Sequence, residues 1–183
     1  MIRRKNLFPE TLSKRVVGGH VLYSPVVTVV AGKRDGSERM KVEPIHHVPM
    51  RTEYKSPFSA AYSIEGGRLI FFSGCCTVPT YHKHPHDPDD ERQWLAGDFR
   101  EQTERTFVHI KEILDAAGAQ MKDVMKLTIF TTQMDGQNIL NEISARYFGN
   151  DNPPARSLIG VPTLAHPGML IEIEGVAAAP AKA

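Results

Sequence analysis

Hydrophobic and polar positions alternate most clearly near the C-terminus of this chain. Residues 155–161 (ARSLIGV) and 169–177 (MLIEIEGVA) are alternating or β-rich, and turn residues fill 162–168 between them, so the pair reads as an antiparallel hairpin. Folding it about Ala165 sets position 156 opposite 174 and 158 opposite 172. Arg156 and Glu172 then become diagonal neighbours on one face, within roughly 8 Å. Upstream the apolar period lengthens. Phe107, Ile110 and Leu114 make a stripe on a helix that Asp98 can cap and Gly118 can close. Residues 124–132 carry Val, Leu, Ile and Phe as a strand, and Asp135 is placed to cap a second helix with Ile139, Leu140, Ile143 and Tyr147 that ends at Gly149. Earlier still, 61–64 and 68–77 form a predicted hairpin about Glu65-Gly66-Gly67, whose glycines supply the positive φ of a tight turn.

The resulting order is β-β-α-β-α-β-β, and its economical packing is an α+β domain, a sheet with two helices on one face. This body spans residues 51–183. Residues 1–50 form a β-rich extension: 21–23, 26–31 and 40–42 read as strands around a turn at 32–36, expected to pack on the body or a neighbouring subunit. Within the body, residues 79–97 are a polar insertion holding Pro79, Pro85 and Pro88 together with His82, His84 and His86. Its prolines predict irregular structure.

With 183 residues, 41% of them hydrophobic and 23% charged, the chain can bury a full core. The formal net charge of +1, with Lys and Arg spread throughout, provides no field that would draw in nucleic acid or a membrane surface. The start MIRRKNLFPETLSKR is basic without an apolar run behind it, and no stretch approaches the length of a bilayer span, so a cytoplasmic protein is expected. Cys75 and Cys76 are adjacent, a spacing that rarely permits a relaxed disulfide, which fits thiols in a reducing compartment.

Taken as strand positions alone, Arg156 and Glu172 read first as a solvated cross-strand ion pair and only second as a site. The surrounding motifs add to this. PPARSLIGV, a short Pro/Gly loop and then IEIEGVA resemble the C-terminal signature of the Rid family (reactive intermediate deaminases, also called YjgF), where PARS and IEIEA occur in the same order. Ile70-Phe71-Phe72-Ser73-Gly74 is similar to that family's first core strand, and Asp115-Ala116-Ala117-Gly118 followed by residues 123–130 (DVMKLTIF) is similar to its helix end and next strand. The resemblance covers residues 55–178. It implies a chorismate-mutase-like fold, a homotrimer whose sheets form a central barrel, and no metal or organic cofactor.

It also implies roles. Arg156 would grip a substrate carboxylate as a bidentate fork, a task for which the planar, permanently charged guanidinium is suited. Glu172 would position and polarise the water that attacks an imine carbon. Gly74 and Cys75 would offer backbone groups to the carboxylate, with the Cys75 thiol a passive wall, and Asn141 would lie near the pocket. Leu158 and Phe58 depart from the pattern, standing where the best-known enamine deaminases have cysteine and tyrosine. A more apolar pocket follows, favouring a larger or unsaturated substrate such as an aminomuconate-like acid. The leading expectation is therefore an enamine/imine deaminase, and the alternative is a non-catalytic trimer that binds small metabolites and regulates a partner. His82, His84 and His86 could chelate zinc or nickel if they shared a strand face, but the prolines favour an exposed lid or rim over a metal site.

Overall fold

The computed structural model describes residues 12–17, 20–25, 40–45 and 56–181, and divides into two compact units, Met1–Ser37 and Glu38–Ala183. In the first unit, β1 (Leu12–Val17) and β2 (His20–Pro25) pair antiparallel from Val17↔His20 out to Leu12↔Pro25. The expected strand at 21–23 lies inside β2. The expected strand at 26–31 and turn at 32–36 fall outside the described residues.

The second unit opens with β3 (Lys41–Ile45), antiparallel to β4 (Ala61–Glu65) in the register Lys41↔Glu65 to Ile45↔Ala61. This corrects the first predicted hairpin. Gly66 and Gly67 do turn the chain with φ of 71° each, but β4 pairs with β3, and β5 (Arg68–Cys75) pairs with β8 (Ile171–Ala179). The main sheet has the order β5-β8-β6-β7, with β6 at Val124–Thr131 and β7 at Ala155–Gly160.

Helix α2 (Phe99–Ala116) begins where expected. The Asp98 side chain accepts from the Glu101 amide and the Glu101 side chain accepts from the Asp98 amide, a reciprocal cap that satisfies two donors lacking helical partners. Gly118, at φ 67°, follows its C-cap. The predicted stripe of Phe107, Ile110 and Leu114 is fully buried, as are Leu140 and Ile143 of α3 (Gln137–Phe148), and Phe107 stacks on Tyr147 with ring centroids 4.9 Å apart. The two helices cover one face of the sheet, where Leu127, Ile129, Ile171 and Ile173 complete the core. Asp135 is not the cap of α3. It lies in a single 3-10 turn, Met134–Gly136, and Gly136 is the N-cap, placed where the Phe99 ring leaves no room for a Cβ.

Two further expectations are corrected. The insertion is not wholly irregular, because residues Pro88–Leu95 form helix α1. Asp87 caps it by accepting from the Asp89 amide at 2.8 Å, Pro88 occupies the first turn, and Asp89, Asp90 and Glu91 follow at its positive end. More consequentially, β7 and β8 do not form a hairpin. Strand β6 runs between them, parallel to β7 and antiparallel to β8. Helix α3 carries the chain from β6 across to β7, the crossover that a parallel pair requires. The connection of residues 161–170 then passes over the end of β6, its two ends held by Val161 N–H to Thr131 O (2.9 Å) and Thr132 N–H to Leu170 O (3.1 Å).

Candidate functional site

Inserting β6 changes where the two expected catalytic side chains go. Arg156 is in register with Leu127, and Leu127 with Gly175, so Arg156 points to the helix-covered face. Glu172 alternates with the buried Ile171 and Ile173 and is in register with Phe130, so it points to the opposite face. Two strand spacings of about 4.8 Å and three residues of about 3.3 Å separate their Cα atoms by about 14 Å within one chain. The diagonal adjacency expected from a hairpin is therefore corrected. The chain presents two candidate half-sites.

The first centres on Arg156. Its Nη2 donates to Asn141 Oδ1, which brings Asn141 beside it through α3, while its Nη1 is buried with no acceptor among the described residues. Burial pulls the guanidinium pKa below its usual value. An unpaired buried N–H on a cation is costly, and an anionic ligand is what would satisfy it. Arg156 and Phe58 also line a cavity of about 540 Å³, walled on its apolar side by Leu69, Phe71 and Val176. Leu158 shares the face of Arg156 but packs against the core.

Sequence reasoning missed Tyr62 and Lys126 at this cavity. Tyr62 donates to the carbonyls of Asn152 (2.7 Å) and Pro153 (3.0 Å), and the Ser59 amide donates to Pro153 O at 3.2 Å, so residues 59–62 are tied to the segment leading into Arg156. Lys126 donates to Ser157 Oγ at 2.9 Å. Nothing in the local pattern marks these positions, since their role arises from strand order.

The second half-site joins Glu172, Gly74 and Cys75. The β5–β8 register jumps from Phe72↔Gly175 to Cys75↔Ile173, leaving Ser73 and Gly74 in a bulge, the kind of irregularity that re-aims backbone groups. A Cβ on Gly74 would coincide with Glu172 Oε1, so glycine is what allows the carboxylate to lie over the bulge. Burial raises the Glu172 pKa, and the charge of Glu174 raises it further. A carboxyl shifted this way exchanges protons closer to neutrality. Burial, with smaller contributions from Cys76 and Glu172, pushes the Cys75 thiol up to about 12, which favours the neutral thiol over the thiolate. Gln102, also missed, holds the start of this strand: its Oε1 accepts from the Leu170 amide at 3.0 Å while its Nε2 donates to Leu95 O (3.0 Å) and Gly168 O (2.9 Å).

A bulged strand bearing Gly74, a half-buried Arg156 at the start of β7 and a half-buried Glu172 on β8 occur here together with a match of residues 51–179 to the family model described as Endoribonuclease L-PSP. The chain belongs to this family, the YjgF/Rid family. Among its relatives, a RutC family protein of Pyrococcus abyssi is 35% identical over 121 residues, covering 66% of this chain and 85% of that protein. The 2-iminobutanoate/2-iminopropanoate deaminase of Homo sapiens is 33% identical over 66% of this chain and 79% of its own length. The solved structure of a Rid family protein from Yersinia pestis aligns with a TM-score of 0.59 at 29% identity, covering 75% of this chain and 98% of that one. RidA from a Psychrobacter species aligns at 0.51 and 27%, covering 68% and 89%. Among the described residues, no helix is long and apolar enough to cross a membrane.

Proposed function

We propose that this Rid family member hydrolyses the C=N bond of a small carboxylate-bearing imine, formed by tautomerisation of a 2-amino unsaturated acid, to give a 2-keto acid and ammonia. The observation that carries the reading is Arg156 Nη1, a buried cationic donor that has no acceptor among the described residues. A substrate carboxylate satisfies it. Water held by Glu172 adds to the imine carbon, the carboxylate taking the proton that it then returns to nitrogen. The resulting carbinolamine collapses to the ketone with loss of ammonia. This chemistry calls on no cofactor.

Because Arg156 and Glu172 lie on opposite faces of one sheet, the working site in this reading is completed between subunits, in a trimeric barrel of the chorismate-mutase type. The outer sheet face supports such burial, with Phe71 75% exposed and Leu69 52% exposed beside Val176. The apolar walls of the cavity, with the Tyr62 hydroxyl already committed to backbone carbonyls, favour a substrate larger than 2-aminoacrylate, such as an aminomuconate-like acid. The net charge of +1 weighs against a ribonuclease role. The test is ammonia and keto-acid release from a panel of enamines and aminomuconates generated in situ. Equimolar products formed faster than by spontaneous hydrolysis are expected. Saturable keto-acid binding without turnover of any member would establish the alternative, a metabolite-binding trimer.

A further inference from the structure

We infer that residues 82–86 form a binding site for a zinc-class divalent ion, with His82, His84 and His86 as its ligands. The prolines do not scatter these residues. The three rings pack with centroids 4.6 to 4.7 Å apart, and one ligand nitrogen from each lies within 4.8 Å of the others. In a tetrahedral zinc shell with Zn–N of about 2.0–2.1 Å the nitrogens stand about 3.3 Å apart, so modest ring rotation, easiest at the exposed His84, closes the set. A three-imidazole set suits late first-row divalent ions and leaves a fourth position open.

Proton placement gives the stronger reason. His82 Nδ1 lies 2.7 Å from the Pro79 carbonyl, which can only accept, so Nδ1 carries the proton and Nε2 the lone pair. His86 Nδ1 lies 2.6 Å from Glu91 Oε1, which fixes the same tautomer there. His86 Nε2 is then a buried acceptor, and among the described residues it has no partner. Carboxylate and backbone carbonyl acceptors behind the far nitrogen are the usual supports of metal-bound imidazoles, orienting the ring and raising its basicity.

The support is itself anchored. Glu91 lies on α1 and also meets His166 Nε2 at 3.2 Å, so the loop before β8 joins the same cluster. Trp94 packs its ring against His82 and His86 at 5.4 and 5.6 Å, and its carbonyl accepts from Thr77 Oγ1 at 2.6 Å. A bound ion would thus lock the insertion onto the end of β5 and onto the segment leading into β8, the two strands that carry the Glu172 half-site. No residue of that half-site serves as a ligand.

The experiment uses full-length protein purified without a tag or added metal. Elemental analysis gives the content, competition with a chromogenic chelator at pH 7.5 gives the affinity for Zn2+, and the visible absorption of the Co2+ form reports the coordination shell. One equivalent per chain is expected, with Co2+ bands of a four- or five-coordinate nitrogen-ligated ion. Replacing His82, His84 and His86 together by Asn should weaken Zn2+ binding at least about 100-fold, and Glu91→Gln about 10-fold through the supporting hydrogen bond. Affinity should fall as pH is lowered, because protons compete with the ion for the imidazole lone pairs. The Co2+ spectrum of the unsubstituted protein does not depend on the variants folding. Binding only at millimolar Zn2+, a six-coordinate Co2+ spectrum, or affinity unchanged in the folded triple variant would overturn the site.

Discussion

Replacing Arg156 by Ala separates binding from folding more cleanly than any other change in this molecule. In the proposed complex, the substrate carboxylate takes one hydrogen bond from Nη1 and a second from the same guanidinium fork. Bonds to a charged partner are worth about 1.5–3 kcal/mol each, so losing both costs about 3–6 kcal/mol and lowers kcat/KM by roughly two to four orders of magnitude. The fold should barely notice. Among the described residues Nη1 is already a buried donor without a partner, a defect of about 1–3 kcal/mol that the substitution removes, and this offsets the lost contact to the half-buried Asn141. Net stability should therefore stay within about 1 kcal/mol of the starting protein. Arg156→Lys keeps the charge but loses the fork and should fall between the two. The assay is initial-rate ammonia release over a range of substrate concentrations, paired with thermal melting followed by circular dichroism. A folded Arg156→Ala protein with an unchanged kcat/KM would refute the carboxylate clamp, and one that unfolds would show that Arg156 holds the fold through Asn141.

Three other outcomes follow from the same geometry. Glu172→Gln should slow turnover about 100-fold with little effect on ligand affinity. It should also gain stability over the parent as pH rises: the raised pKa of Glu172 means its favourable contribution is full below the ordinary value of 4.5 and is lost through the higher folded value, which chemical denaturation at pH 4 and pH 8 would reveal. Gly175→Ala should destabilise the domain by about 1–3 kcal/mol, because a Cβ there meets the Phe72 ring and the Lys126 carbonyl, a cost read directly as a shift in denaturant midpoint. Mixed oligomers co-expressed from Arg156→Ala and Glu172→Gln chains should regain activity in about a quarter of their sites if each site takes its arginine and glutamate from different copies, and none if both come from one chain.

What was legible in the sequence is what local chemistry encodes. The cap at Asp98, the stripe of Phe107, Ile110 and Leu114, the turn at Gly66-Gly67 and the stop at Gly149 are each fixed by a few neighbouring residues, and all appear where expected. The start of α1 was equally legible, since Asp87, Pro88 and three following acids are a helix-entry pattern, although the density of Pro and His before it reads as irregular structure. Strand order was not available. Nothing local distinguishes two strands joined by ten residues as hairpin partners from two strands with a third between them, and the deciding contacts, Thr131 and Thr132 with the ends of the connection, involve residues about 30–40 positions apart. The same limit hid Tyr62, Lys126 and Gln102, whose partners are distant in sequence.

That one insertion of β6 governs how the Arg156 and Glu172 positions can function. A β7–β8 hairpin would have placed a guanidinium beside a carboxylate, and the two would largely have neutralised each other as an ordinary ion pair. With β6 between them, Arg156 keeps a buried donor unspent and Glu172 keeps a raised pKa, because neither has the other as a partner. In the proposed reaction each half-site would then start from the state its role calls for, a guanidinium in want of an anion and a carboxyl whose pKa is raised. In the proposed trimer, bringing them together only across a subunit boundary, with substrate between them, would preserve both states up to the moment of reaction. The exposed apolar outer face of the sheet is the surface on which such an approach would occur, and it carries Glu172 itself.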